Sequence, residues 1–177
     1  MLEIESEVSE VYLHPGESYL ARKPAIIRTI LGSCVGVTFW SARLRVGALT
    51  HSQLPRCPTN SSVGLSLAAG HRYVDFSIRD LARQFDQLGA LRREVQVKLF
   101  GGADVLPISA ADPLRPTIGK QNCDAAIEVL RAEGFEVIAS SLGGTTGRSI
   151  QFHTGTGEVR LRWLPQARCE EEVADGQ

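Results

Sequence analysis

AIIRTILGSCVGVTFWSARLRVGALTH, residues 25–51, decides the fold. It holds three runs rich in β-branched and aromatic residues: 25–31, 34–40 and 44–50. Each has a strand's length and is too short for an ordinary helix. Gly32-Ser33 separates the first two runs, and Ser41-Ala42-Arg43 joins the second to the third. The second pair therefore reads as an antiparallel hairpin. Such a hairpin brings the start of one strand opposite the end of the other, so Cys34 is expected to face His51 across its open end.

Working outward, residues 6–13 alternate as an opening strand, and His14-Pro-Gly-Glu17 reads as a turn. Residues 53–70 are rich in Pro, Ser, Gly and Asn and read as a loop. A helix is predicted over 71–89, because Val74, Ile78, Leu81, Phe85 and Leu88 recur every three or four residues. A strand at 94–100 leads to Gly101-Gly102 and a Pro-containing loop over 103–117. A second helix over 119–133 presents Ala126, Ile127, Leu130 and Cys123. Strand 135–140, the glycine-rich Leu142–Arg148 and a final hairpin of 149–153 and 158–164 follow. The strands arrive as hairpins more than as βαβ units. The expected class is α+β: layered mixed sheets with a β-sandwich-like core and two main helices outside. One domain is expected over 1–164, with a mobile acidic tail over 165–177.

Composition narrows the function. The net charge is -1 and the arginines are scattered, so no basic face for nucleic acid is expected. The longest apolar stretches fall far short of the roughly 20 residues that cross a bilayer, and the start MLEIESEVSE is acidic. A cytoplasmic protein without membrane insertion is the expectation. The cysteines Cys34, Cys57, Cys123 and Cys169 form no CxxC pair and no zinc-ligand spacing with histidine. Neither a metal nor an organic cofactor is expected.

Cys34 stands out because two small residues precede it at a strand junction. Such a turn lets backbone N–H groups approach a substrate carbonyl, which is what an oxyanion site requires. A buried structural cysteine is the ordinary alternative. Across the hairpin His51 is a candidate base, and pairing with it is expected to lower the thiol pKa. Thr29, Thr50, Ser33 and Ser52 are candidates for the group that orients the base. Gly32, Ser33 and Val35 are candidate oxyanion or pocket residues. Gly101, Gly102, Gly143 and Gly144 are candidate pocket walls. Leu142–Arg148 lacks the Gly-Lys-Ser/Thr ending of a phosphate loop, and a strand rather than a helix follows it. His14, His71 and His153 have no partner at ligand spacing, so solvated or capping roles are expected for them.

Thr29-Ile-Leu-Gly-Ser-Cys-Val-Gly-Val37 resembles the signature of the CheD chemoreceptor glutamine deamidases. His51-Ser-Gln-Leu-Pro55 follows at the family's separation. Tyr73-Val-Asp75, Lys98–Ala103, Ile118–Asn122, Leu142–Arg148 and Thr156–Val159 are similar to further family blocks, in family order. Ser140-Ser141 departs from the family, where an acidic residue commonly precedes the Leu-Gly-Gly. The resemblance implies hydrolysis of selected glutamines on the cytoplasmic helices of methyl-accepting chemotaxis proteins through a cysteine thioester. It implies Cys34 as nucleophile, His51 as base and Thr29 as orienting hydroxyl. It also implies a CheC-type phosphatase partner and a fold resembling cytotoxic-necrotising-factor-type cysteine deamidases. The alternative is a regulatory module that docks on CheC or receptor helices with little turnover. The loops 53–70, 100–103 and 142–148 are the expected walls of a groove for a substrate helix.

Overall fold

The structure, a computed structural model, describes residues 8–58, 66–105 and 116–165. The strands are β1 (Ser9–Tyr12), β2 (Glu17–Ala21), β3 (Ala25–Leu31), β4 (Val35–Ser41), β5 (Val46–His51), β6 (Val95–Gly101), β7 (Val137–Leu142), β8 (Arg148–His153) and β9 (Glu158–Trp163). The helices are α1 (Leu67–Gly70), α2 (Val74–Gln87) and α3 (Ile118–Ala132). The strands form a four-stranded sheet, β1-β3-β8-β9, and a five-stranded sheet, β2-β5-β4-β6-β7.

Strand periodicity sorts the side chains into layers. Val35, Val37 and Phe39 of β4 and Val95, Val97 and Leu99 of β6 pack against α2 and α3. From the opposite face, Leu49 of β5 meets Ile27 of β3 and Phe152 of β8. Phe100 likewise joins Leu31 and Ile150 between the sheets. The arrangement is helix layer, five-stranded sheet, four-stranded sheet, a layered α+β fold. Burial on both faces explains why β4 and β5 read as nearly continuous apolar runs.

Both long helices follow their apolar stripes. Val74, Ile78, Leu81 and Phe85 of α2 are buried and Leu88 packs beside them. Thr117 caps α3 by accepting from the Lys120 N–H at 3.2 Å. Ile127 departs from expectation: it is 40% exposed, and Val129 takes its place in the core. The stripe on α3 includes alanines and Cys123, whose small size blurs its centre.

Several connections differ from the sequence reading. The Glu17 N–H closes the expected turn by donating to the His14 carbonyl at 3.1 Å, but Glu17 also begins β2, an added strand that pairs with β5. Part of the expected loop over 53–70 is α1, capped by Ser66. β1 runs parallel to β3, and β6 to β7, the latter pair crossing over through α3. The β4–β5 turn is longer than Ser41-Ala42-Arg43: Ser41 pairs with Val46, and Arg45 adopts a φ of 53°. Register therefore shifts, with Val35 bridging Ser52. His51 lies across from Gly36, so Cys34 is its diagonal neighbour rather than its direct opposite. The expected tail, from residue 166 onward, lies outside the described residues, as does Cys169.

Candidate active site

Alternation along β4 and β5 puts Gly36 and His51 on the side that faces the four-stranded sheet. Cys34, two residues before Gly36, packs there against the cluster of Leu31, Phe100 and Ile150. A Cβ on Gly36 would stand 3.0 Å from the Leu31 side chain and 3.2 Å from the Thr50 carbonyl, so glycine leaves this seam open. β3 supplies Thr29 from the facing sheet. Thr29 and His51 are buried, whereas Cys34 is partly exposed.

The Thr29 hydroxyl lies 2.7 Å from His51 Nδ1 and donates to the Leu13 carbonyl at 2.8 Å. A hydroxyl has one proton, and here the carbonyl takes it. Toward His51 the oxygen can only accept, which puts the imidazole proton on Nδ1 and leaves Nε2 bare. The other candidates for the orienting group are engaged elsewhere. Thr50 Oγ1 accepts from the Val37 N–H at 3.1 Å. Ser52 Oγ lies 2.9 Å from Ser77 Oγ and 3.2 Å from the His71 carbonyl, so its hydroxyl belongs to that group on the other side of the strand. Ser33 meets Asn122 through its backbone carbonyl, and it is Thr29 that touches the imidazole.

Burial sets the electrostatics. It pushes the Cys34 thiol above its ordinary value, partly opposed by the hydrogen bond from its own backbone N–H. Burial also lowers the His51 imidazole, against smaller opposing effects of the Leu13 carbonyl and Glu17, with His14 adding to the lowering. The direction for the thiol is thus opposite to the expected lowering: desolvation disfavours the charged forms of both Cys34 and His51.

The glycine-rich segments form one support behind the Cys34 turn. The Gly102 N–H donates to the Cys34 carbonyl at 2.8 Å, and the Ala103 N–H donates to the Gly32 carbonyl at 2.8 Å. The Gly143 N–H donates to the Gly101 carbonyl at 2.9 Å, and the Gly144 carbonyl accepts from Asp104 at 2.8 Å. Gly101 has a φ of 109°, and a Cβ there would stand 2.1 Å from the Cys34 carbonyl oxygen. No side chain fits. Val35 is corrected as an oxyanion donor, because its N–H is spent on the Ser52 carbonyl at 2.9 Å.

Three features escaped the sequence reading. The wholly buried Arg148 donates to the Ser141 carbonyl, Ser141 Oγ and the Gly143 carbonyl, and lies 4.7 Å over the Trp163 ring. It holds the glycine loop through carbonyls and a hydroxyl. Asn122 reaches from α3 to the Cys34 turn. His71 meets Asp80 at 3.0 Å, because the α1–α2 turn folds nine residues back on themselves. Asn122 had a signal, since it ends the block Ile118–Asn122. The contacts of Arg148 and His71 depend on tertiary packing. Among the described residues no group of three or more His, Cys, Asp or Glu side chains could hold a metal ion, and no helix is long and apolar enough to cross a membrane.

Residues 54–163 match the family model described as CheD chemotactic sensory transduction, which begins just beyond His51. A Geobacter sulfurreducens protein named "Probable chemoreceptor glutamine deamidase CheD 2" is 42% identical over 164 residues, 93% of this chain and 96% of its own. A Maridesulfovibrio salexigens protein named "Probable chemoreceptor glutamine deamidase CheD" is 38% identical over 90% of this chain and 95% of its own. Among solved structures, the Bacillus licheniformis hypothetical protein YfiH aligns over 73% of this chain and 51% of its own. Its TM-score is 0.48 at 12% identity.

Proposed function

Because the chain belongs to the CheD family, we propose that it is a chemoreceptor glutamine deamidase whose nucleophile is Cys34 and whose base is His51, held by Thr29. One observation carries the site assignment: a Thr29 hydroxyl that gives its proton to Leu13 and so receives the His51 Nδ1–H. That leaves Nε2 without a proton, the state a general base requires, on a residue diagonal to Cys34 across the β4–β5 ladder.

In the proposed reaction His51 Nε2 takes the thiol proton as Cys34 Sγ attacks the glutamine side-chain carbonyl. Burial disfavours the charged forms of both groups, so in this reading proton transfer accompanies attack. Oxyanion charge is assigned here to the backbone N–H groups of Ser33 and Cys34, with those of Val35 and Gly102 engaged elsewhere. The imidazolium returns the proton to the departing nitrogen, and ammonia leaves a thioester. His51 then activates water, and hydrolysis yields glutamate and the free thiol. No cofactor enters this balance.

The substrate class in this reading is the cytoplasmic helices of methyl-accepting chemotaxis proteins, which places the enzyme in the cytoplasm. A glutamine on an exposed helix projects from its backbone, so a partly exposed thiol at the end of a seam suffices. We include a CheC-type phosphatase as a partner competing for the same surface, and the layered cysteine-deamidase fold that the resemblance implies. Support for the fold is the helix-covered pair of sheets. The regulatory docking module is the second reading: burial disfavours the Cys34 thiolate, and the thiolate is the nucleophile.

Mass spectrometry of a receptor cytoplasmic fragment decides between the two. Wild-type protein should convert particular glutamines to glutamates with matching ammonia release. Cys34→Ala should bind the fragment and convert none. Binding without conversion by the wild type would leave the docking module.

A further inference from the structure

Asn122 lies one helical turn into α3, wholly buried, and belongs to none of the three proposed catalytic groups. Its Nδ2 donates at 2.9 Å to the Ser33 carbonyl and at 2.9 Å to the Gln53 carbonyl. One amide group thus ties the residue before Cys34 to the residue two beyond His51. Its Oδ1 is buried with no hydrogen-bond partner. Turning the amide over would aim that oxygen at two carbonyl oxygens, so the observed orientation is the one the site can hold.

The helix is fixed where this clamp requires it. A Cβ on Gly119 would stand 2.6 Å from the Gly102 carbonyl oxygen, so the first turn of α3 rests directly on the Gly101-Gly102 turn. That turn in turn receives the Cys34 carbonyl. Asn122 follows by three residues and arrives at Ser33 on a rigid element.

In a trans peptide the C=O and N–H point in opposite directions. Holding the Ser33 carbonyl toward α3 therefore turns the Cys34 N–H away from α3. In the deamidase reading the substrate carbonyl sits on that side, away from α3. We propose that Asn122 is a positioning residue that aims the Cys34 N–H into the oxyanion site by holding the Ser33 carbonyl from behind. The inference rests on the deamidase reading, and it adds the element that sets the oxyanion donor.

Asn122→Ala tests it, with Val129→Ala on the same helix as a control for stability. Steady-state deamidation of the receptor fragment and the rate of Cys34 alkylation by iodoacetamide are measured for each. Alkylation forms no oxyanion, so it reports the thiol and His51 without the donor. Asn122→Ala should lower kcat by about 10- to 100-fold, up to the scale of deleting one oxyanion donor. KM and the alkylation rate should stay within about threefold of wild type. Val129→Ala, compared at matched fractional unfolding, should retain kcat. A kcat within threefold of wild type in Asn122→Ala overturns the inference. Equal losses of kcat and alkylation overturn it too, because the whole turn has then collapsed, as does an equal kcat loss in Val129→Ala. A wild-type protein that leaves every receptor glutamine intact overturns the deamidase reading first, and this inference with it.

Discussion

Thr29 does two things with one oxygen, and they separate by mutation. Thr29→Ser keeps the hydroxyl, whereas Thr29→Val keeps the shape and removes both hydrogen bonds. The Nδ1 proton then loses its acceptor, and the tautomer with a bare Nε2 loses its advantage. Thr29→Val should lower kcat about tenfold or more, while Thr29→Ser retains most of it; steady-state deamidation checks both. The buried Leu13 carbonyl also loses the hydroxyl that donates to it, at a cost of about 1–3 kcal/mol visible in a denaturant melt. The pH profile follows from burial. His51 is held below its ordinary 6.5, so the neutral base persists into mildly acid solution. The acid limb of kcat/KM should therefore fall below 6.5, measured from about pH 5 to 9. A limb at or above 6.5 would contradict the buried-base account. Stability carries the same sign. The unfolded imidazole binds its proton more readily, so the contribution of burying it neutral is present above 6.5 and is lost as pH falls through the lower folded value.

At the scale of elements, the Gly101-Gly102 turn and α3 form the mould in which the Cys34 turn is cast. Gly101→Ala sets a Cβ against the Cys34 carbonyl, whereas Gly143→Ala meets nothing within 4 Å and only bears a φ of 67°. The first should cost several kcal/mol and abolish Cys34 alkylation, and the second about 1–2 kcal/mol with alkylation retained. Melts and alkylation rates of the two variants check the ranking. What the sequence discloses at this scale is local. Runs 25–31 and 34–40 announce β3 and β4 because β-branched residues suit a pleated, buried surface. The α2 stripe is plain because its positions are large. The span Glu17–Ala21 gives no such signal, since its burial alternates weakly and its pairing with β5 comes from afar. Arg45 hides the hairpin register, because a left-handed arginine is not a residue by which turns are recognised. Cys34 and His51 stand out through their spacing and their junction. The Thr29–His51 contact was one option among four, because it crosses between sheets. Asn122 was visible only as the end of a motif.

For the whole molecule, two sheets and a helix layer place burial unevenly. β4 and β5 are covered on both faces, whereas β1 and β9 edge the outer sheet and carry exposed residues. Amides of β4, β5 and β6 should exchange most slowly and those of β1 and β9 earliest, which hydrogen exchange read by mass spectrometry can resolve. Faster exchange in β5 than in β9 would contradict the layering. The hydrogen bond between Thr29 and His51 crosses from the outer sheet to the inner one. Catalysis in this reading is therefore a vernier on how the two sheets lie. A small slip that the apolar interface absorbs still parts a hydroxyl from an imidazole. Anything that wedges the open end of the seam would silence the enzyme without touching its thiol, and anything that clamps it would hold the enzyme in tune.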